Sequence, residues 1–240
     1  MEIHKPRPIH NWRELATEVA VIVVGIIIAL TGEQLIQSLE WREKISRAEE
    51  QIRVEMADDD GPEVYQRLAL GDCVDNGLAQ IRASIERGDA RAAVIEAIAK
   101  VDIPHHTYES FAYNAAVASG VLARLSPERL NLWDYLYAPM PVLDRIGERE
   151  YFDAAALHAI RNSGGPLSEA EQLRALDAVE NLRLDNLEIM SRAALAQGAF
   201  KMMDIKLQKI RVKQMLDELA ARPGASACVE TLKTITGYEP

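Results

Sequence analysis

His105 and His106 are the residues best equipped for metal binding or proton transfer, and their spacing works against both. Neighbours on a helix point about 100° apart, and no carboxylate or further histidine stands at the His-Glu-x-x-His or Glu-x-x-His spacing that turns ligands onto one ion. The pair reads as polar loop residues, and no metal ligand is assigned. Asp58-Asp59-Asp60 lacks the alternating spacing and distal glutamate of a calcium loop and reads as a solvated turn. Gly164-Gly165 has neither the lysine nor the strand of a phosphate-binding loop. Ser119-Gly120 lacks the flanking glycines and sheet of a nucleophile elbow. No catalytic set and no cofactor-binding set emerges, so no cofactor is expected. An active site assembled from scattered Asp, Glu and Tyr leaves no linear motif, and the enzyme alternative stays open beside the non-enzymatic reading.

Two groups remain. Tyr108, Glu109, Tyr113 and Asn114 fall at helical spacing and, with Trp133, outline a polar-aromatic pocket between helices; an ordinary amphipathic helix with half-buried tyrosines is the plainer reading. Cys73 and Cys228 are too far apart in sequence for a Cys-x-x-Cys redox or zinc motif. In an exported domain they could join as one disulfide, tying the C-terminal tail to an early helix; two buried, inert thiols are the alternative reading.

The elements that position these residues begin at a membrane. Val19 to Gly32 contains no charge, and its apolar residues cover every face of a helix rather than one stripe. That run alone covers roughly 21 Å, short of a hydrocarbon core of about 30 Å. Extension over 15–36 reaches roughly 33 Å, with Glu18, Glu33 and Gln34 near the ends. Trp12 and Trp41 then lie about 43 Å apart, and with Arg13 and Arg42 they make an interfacial belt at each side. No small-x-small cleavage site follows, which favours a retained transmembrane helix over a signal peptide. Gly25 and Ala29 offer a small-x-x-x-small pair for helix–helix contact and a homodimer. Lys5, Arg7 and Arg13 are matched by Arg42, Lys44 and Arg47, but Arg13 sits closer to the apolar run, so the N-terminus is expected in the cytoplasm and the C-terminal domain outside it.

The resulting division is 1–14 as a cytoplasmic segment, 15–36 as the span, 37–57 as an amphipathic stalk and 58–240 as a soluble helical domain. Trp41, Ile45, Ala48, Ile52 and Met56 make the stalk stripe, and Asp58 to Pro62 is expected to stop it or bend it sharply. Further helices are predicted over 62–87, with Val64, Leu68, Leu78, Ile81 and Ile85 inward, to about 101, over 108–125, from Ser126-Pro127-Glu128 onward with an interruption at Pro139 and Pro141, and to about 161. The capping box Ser168-x-x-Glu171 opens a long stretch through Ala221 with a kink at Gly198. The tail to Pro240 is weakly patterned. With aromatic residues at 5% and Ala, Leu, Glu and Arg plentiful, the fold class is all-α, an antiparallel helical bundle following the N-terminal helix. A net charge of -10 without a basic stripe excludes a nucleic-acid binder.

The opening His10-Asn11-Trp12-Arg13-Glu14, then Glu18 and the Val/Ile run with Gly25 and Ala29-Leu30, resembles a family of bacterial single-span membrane proteins of unknown function. A looser similarity runs from Tyr108 through Ser119-Gly120, Leu122 and Leu125 to Leu130 and Tyr135. The resemblance implies an N-terminal anchor, a helical soluble domain and a Gram-negative inner-membrane setting, and carries no activity. Together these readings give a membrane-anchored interaction or scaffold protein of the envelope, with a protein partner there. The alternative is a sensor-like module with a small-ligand pocket near Tyr108, Tyr113 and Trp133.

Overall fold

The computed structural model describes residues 12–101, 103–108, 110–162, 164–222 and 224–239, with Glu14 as main chain only. The expected cytoplasmic segment up to residue 11, and Glu109 of the aromatic patch, lie outside the described residues. Among those residues the protein is all-α, without a strand. The helices are α1 (Trp12–Glu55), α2 (Gly61–Glu86), α3 (Arg91–Ala99), α4 (Phe111–Ala118), α5 (Pro127–Tyr137), α6 (Met140–Ala159), α7 (Glu169–Met202), α8 (Lys209–Ala221) and α9 (Val229–Thr236).

The chain divides into two compact units, 1–47 and 48–240. In the first, one helix is long and apolar enough to cross a membrane, and none of its most apolar window is buried. Val21, Ile22, Val24, Ile26 and Ile28 are all exposed, as are Gly25, Ala29, Trp12, Arg13 and Arg42. The Arg13 guanidinium lies 5.7 Å from the Trp12 ring and the Lys44 ammonium 5.0 Å from the Trp41 ring. An aromatic face can hold a cation in this way where neither is fully hydrated.

The second unit begins at Ala48, inside the expected stalk. Ile52 and Met56 are completely buried, so the last turns of α1 belong to the core. The core of this unit centres on α7. Ala175, Ala178, Ala193, Ala196 and Ala199 leave little side chain between its backbone and its neighbours, while Val179, Leu182, Ile189 and Phe200 fill the remaining space. The Asn186 amide donates to the Gly71 carbonyl at 2.9 Å, a close approach that an added Cβ at Gly71 would block by overlapping Met190. Gly71 with Asn186, Asp75 with Arg183 and Arg82 with Glu180 run in opposite directions along the chain, so α2 and α7 are antiparallel. Arg149 with Asp185 and Asp153 with Asn181 show the same for α6 and α7.

Several local expectations hold in detail. The Ser126 hydroxyl accepts from the Arg129 N–H at 3.4 Å and Pro127 follows in the first turn of α5. Both halves of the Ser168–Glu171 capping box are formed. Val64, Leu78, Ile81 and Ile85 face inward from α2. Cys73 of α2 and Cys228, just before α9, are joined as a disulfide with Cα atoms 6.4 Å apart.

Other expectations need correction. Asp58 to Pro62 does not stop the helix: Met56–Asp60 form a π-turn, and α2 starts at the next residue. The Gly61 N–H reaches back five residues to the Met56 carbonyl, a wider turn that relieves the clash Pro62 would cause in a regular α-helix. An added Cβ at Gly61 would overlap the Met56 carbonyl oxygen and the Leu207 side chain. The helix expected over 108–125 is only α4, because Tyr108 is held in a loop and Gly120 ends the helix at φ +71°. The long stretch from Ser168 is not continuous through Ala221 but is broken over 203–208. There Asp204 takes φ +50°, Met203 and Ile205 enter the core, and the Arg53 guanidinium donates to the Met203 carbonyl at 2.9 Å. The tail folds as α9, ended by Gly237 in the left-handed region at φ +63°.

Candidate functional site

The π-turn sets the wall of a cavity of about 300 Å³. A π-turn inserts an extra residue into helical register, and such insertions recur at functional sites. Here it carries Asp58, Asp59 and Asp60 to the cavity, and Glu63 and Gln66 continue the same lining into α2. The facing wall is one stripe of α8, where Arg211, Gln214, Met215 and Glu218 recur at spacings of three and four. His106 and Thr107, from the loop preceding α4, complete the lining.

The charge balance is strongly acidic. Five lining carboxylates (Asp58, Asp59, Asp60, Glu63, Glu218) face one arginine, and that arginine is committed: Arg211 lies 3.5 Å from Asp59. His106 Nδ1 lies 3.5 Å from Glu63 Oε1. Buried atoms left without a partner among the described residues gather here: Asp58 Oδ1, Glu63 Oε2 and His106 Nε2. Gln66 is 4% exposed and lines the cavity, yet its amide forms no hydrogen bond among the described residues.

Beside the cavity lies a buried ion pair. Arg67 and Glu150 have side chains 2% and 3% exposed and meet at 2.7 Å, while Arg67 Nε and Nη1 have no acceptor among the described residues. Burial holds the Glu150 carboxyl above the usual carboxylate range, against the opposing pull of Arg67. Burial likewise drives the Tyr108 phenol upward; Arg67 opposes the shift, and Glu63, Glu150 and Asp60 reinforce it. Tyr108 therefore joins the ion pair and the cavity carboxylates in one electrostatic neighbourhood.

The residues singled out from sequence are dispersed. His105 lies beside the Tyr151 ring at 5.4 Å, whereas His106 turns to Glu63, so the two histidines serve different neighbours. Tyr108 belongs to the acidic neighbourhood. Tyr113 instead stacks on Tyr137 with ring centres 4.2 Å apart, and its hydroxyl donates to Asp134 at 2.5 Å. Burial and that carboxylate push the Tyr113 phenol up to about 12. Trp133 is core at 1% exposure; its indole N–H donates to Glu49 at 3.2 Å and Arg53 covers its ring at 5.4 Å. Asn114 is exposed. Among the described residues no group of three or more His, Cys, Asp and Glu side chains is arranged to hold a metal ion.

Sequence reasoning passed over the cavity because it took the acidic triplet for a solvated turn. One signal was present: Ile52, Met56, Asp60 and Val64 recur every fourth residue, so Asp60 stands in the register of a core position, and it is 1% exposed. No family model, curated relative or solved structure matches the chain.

Proposed function

We propose that this chain is a single-pass protein of the bacterial inner membrane whose exported helical domain is a sensor-like module, binding a small ligand in the acidic cavity at the π-turn. The observation that carries the reading is a cavity of about 300 Å³ that sets five carboxylates, His106 and Gln66 against a single arginine already facing Asp59. The apolar N-terminal helix supports anchoring, and the Cys73–Cys228 disulfide fits an oxidising compartment.

A thermal-shift screen of the full-length protein in detergent against small metabolites tests it. A reproducible shift that disappears in the Asp58→Asn, Glu63→Gln double variant is expected. A shift that survives this variant and disappears in Tyr113→Ala would return the ligand to the aromatic patch. Orientation is tested separately: a reporter active only in the cytoplasm, fused after Pro240, is expected to be silent.

The scaffold reading draws on a different observation. Leu173, Leu184, Leu187, Leu195 and Met202 fall within a narrow arc of α7 and are all exposed, 69% for Leu187. An apolar row of this kind on a helix that otherwise forms the core suits a partner protein in the envelope. Leu184→Lys with Leu187→Lys should abolish its capture from membrane extracts while leaving the thermal transition in place. A full-length protein that captures nothing before substitution counts against the partner.

A further inference from the structure

The break after α7 opens a second cavity, of about 690 Å³, lined by none of the π-turn carboxylates. Phe200, Ile205 and Val212, each buried, give it an apolar floor, and α9 adds Ile235 and Tyr238. Its polar groups are donors short of an acceptor. Tyr65 lines the cavity at 7% exposure, and its hydroxyl makes no hydrogen bond among the described residues yet is not sealed from solvent. Burial alone raises that phenol, which therefore keeps a proton to donate near neutral pH. Lys209, also in the lining, has no hydrogen-bond or ion-pair partner among the described residues. It opens α8, whose N-cap Gln208 makes no side-chain cap, so the first N–H groups of that helix have no intrahelical partner.

We infer that this cavity binds an amphiphilic carboxylate, an unbranched acyl chain ending in one negative head group. The carboxylate brings acceptors to the Tyr65 hydroxyl and a countercharge to Lys209 at a helix N-terminus, where anions are favoured. The chain covers the floor formed by Phe200, Ile205 and Val212. Three lysines line the cavity against two acids; of these, Asp204 lies 3.2 Å from Lys206, and Glu239 is exposed. An organic cation would meet that excess unpaired. A small polar anion would leave the floor uncovered, and the lining holds no arginine to grip a phosphate from two sides. This site is separate from the π-turn cavity and does not depend on the reading given to it.

Titration calorimetry on the full-length protein in lipid nanodiscs tests the assignment, with octanoate as probe, octylamine and acetate as comparators, and the heat of empty nanodiscs subtracted. Saturable octanoate binding is expected, weakened about tenfold by Tyr65→Phe, as loss of a hydrogen bond to a charged group implies. Lys209→Glu, at an exposed position, should weaken it about fivefold. Both variants are expected to melt as wild type without octanoate; if Tyr65→Phe does not, Lys209→Glu decides. Octylamine and acetate should each bind at least about tenfold more weakly than octanoate, for want of the charge and of the chain. Glu63→Gln at the π-turn should bind octanoate as wild type. Absence of octanoate binding would overturn the inference, as would binding indifferent to Lys209→Glu or matched by octylamine or acetate. Loss of octanoate in Glu63→Gln would place it in the other cavity and overturn the inference too. Failure of the metabolite screen at the π-turn leaves this result unaffected, so the two sites stand or fall apart.

Discussion

Arg67 and Arg91 are both buried and both face a glutamate, and they differ in how fully their donors are used. Arg91 Nε donates to the Gly165 carbonyl at 2.7 Å, Nη1 to Ile160 at 2.9 Å, and Nη2 to Pro166 at 3.1 Å and to Glu171 at 2.8 Å. It closes the turn between α6 and α7 and leaves the capping box correctly faced. Arg67 has one carboxylate oxygen of Glu150, and two of its nitrogens have no acceptor among the described residues. A saturated buried charge is a structural fastener. An undersatisfied one, beside a cavity where one oxygen each of Asp58 and Glu63 has no partner among the described residues, belongs to a region shaped for something besides stability.

The contrast can be broken most directly at Arg91. Arg91→Met should cost about 3–5 kcal/mol in denaturant unfolding, since it removes the ion partner of Glu171 and leaves three carbonyls without their shared donor. A cost below about 1 kcal/mol would end the distinction. Arg67→Met should cost less, about 2–3 kcal/mol at neutral pH, because only Glu150 is stranded and a proton can neutralise it. Combining Arg67→Met with Glu150→Met should recover most of that loss.

The pH dependence follows from the raised Glu150 carboxyl. A carboxyl whose folded pKa exceeds its unfolded value binds more protons in the folded state. Its favourable contribution is complete below about pH 4.3, the unfolded value, and is lost as pH rises through the raised folded value. Removing Arg67 lifts the folded value further, so the deficit of Arg67→Met should grow with pH across that window. Glu150→Gln in the same background should flatten it, as read from urea midpoints at successive pH values. The smallest effect is expected at Ser168→Ala, about 1 kcal/mol for loss of a helix cap. Its Glu171 should still meet Arg91, so a loss approaching that of Arg91→Met would mean the cap, not the arginine, fastens the turn.

What was legible in the sequence was local. The caps at Ser126 and Ser168, the inward stripe of α2 and the apolar N-terminal helix depend on residues a few positions apart, and each appears where its pattern places it. The π-turn was read as a stop or a sharp bend because glycine and proline usually interrupt helices, whereas here the core position of Met56 and the close fit of Gly61 against Leu207 accompany a chain that stays helical. The break after α7 depends on Arg53 reaching Met203, 150 positions away. The cavity was hidden for the same reason. Its walls come from three segments, and the Arg67–Glu150 pair beside it joins residues 83 positions apart, so no window of sequence shows either.

The disulfide has a mechanical consequence. It bridges a separation of 155 residues between Cys73 and Cys228. Tension applied along the chain from the N-terminal helix passes from α2 through the sulfurs to the start of α9. The rest of α2 and α3 to α8 carry none of that load. At about 3.3–3.6 Å per residue, the bridge withholds on the order of 500 Å of extension. A chain held at one end in a bilayer would therefore lengthen little under pull until its thiols were reduced, keeping the α7 core out of the path of force.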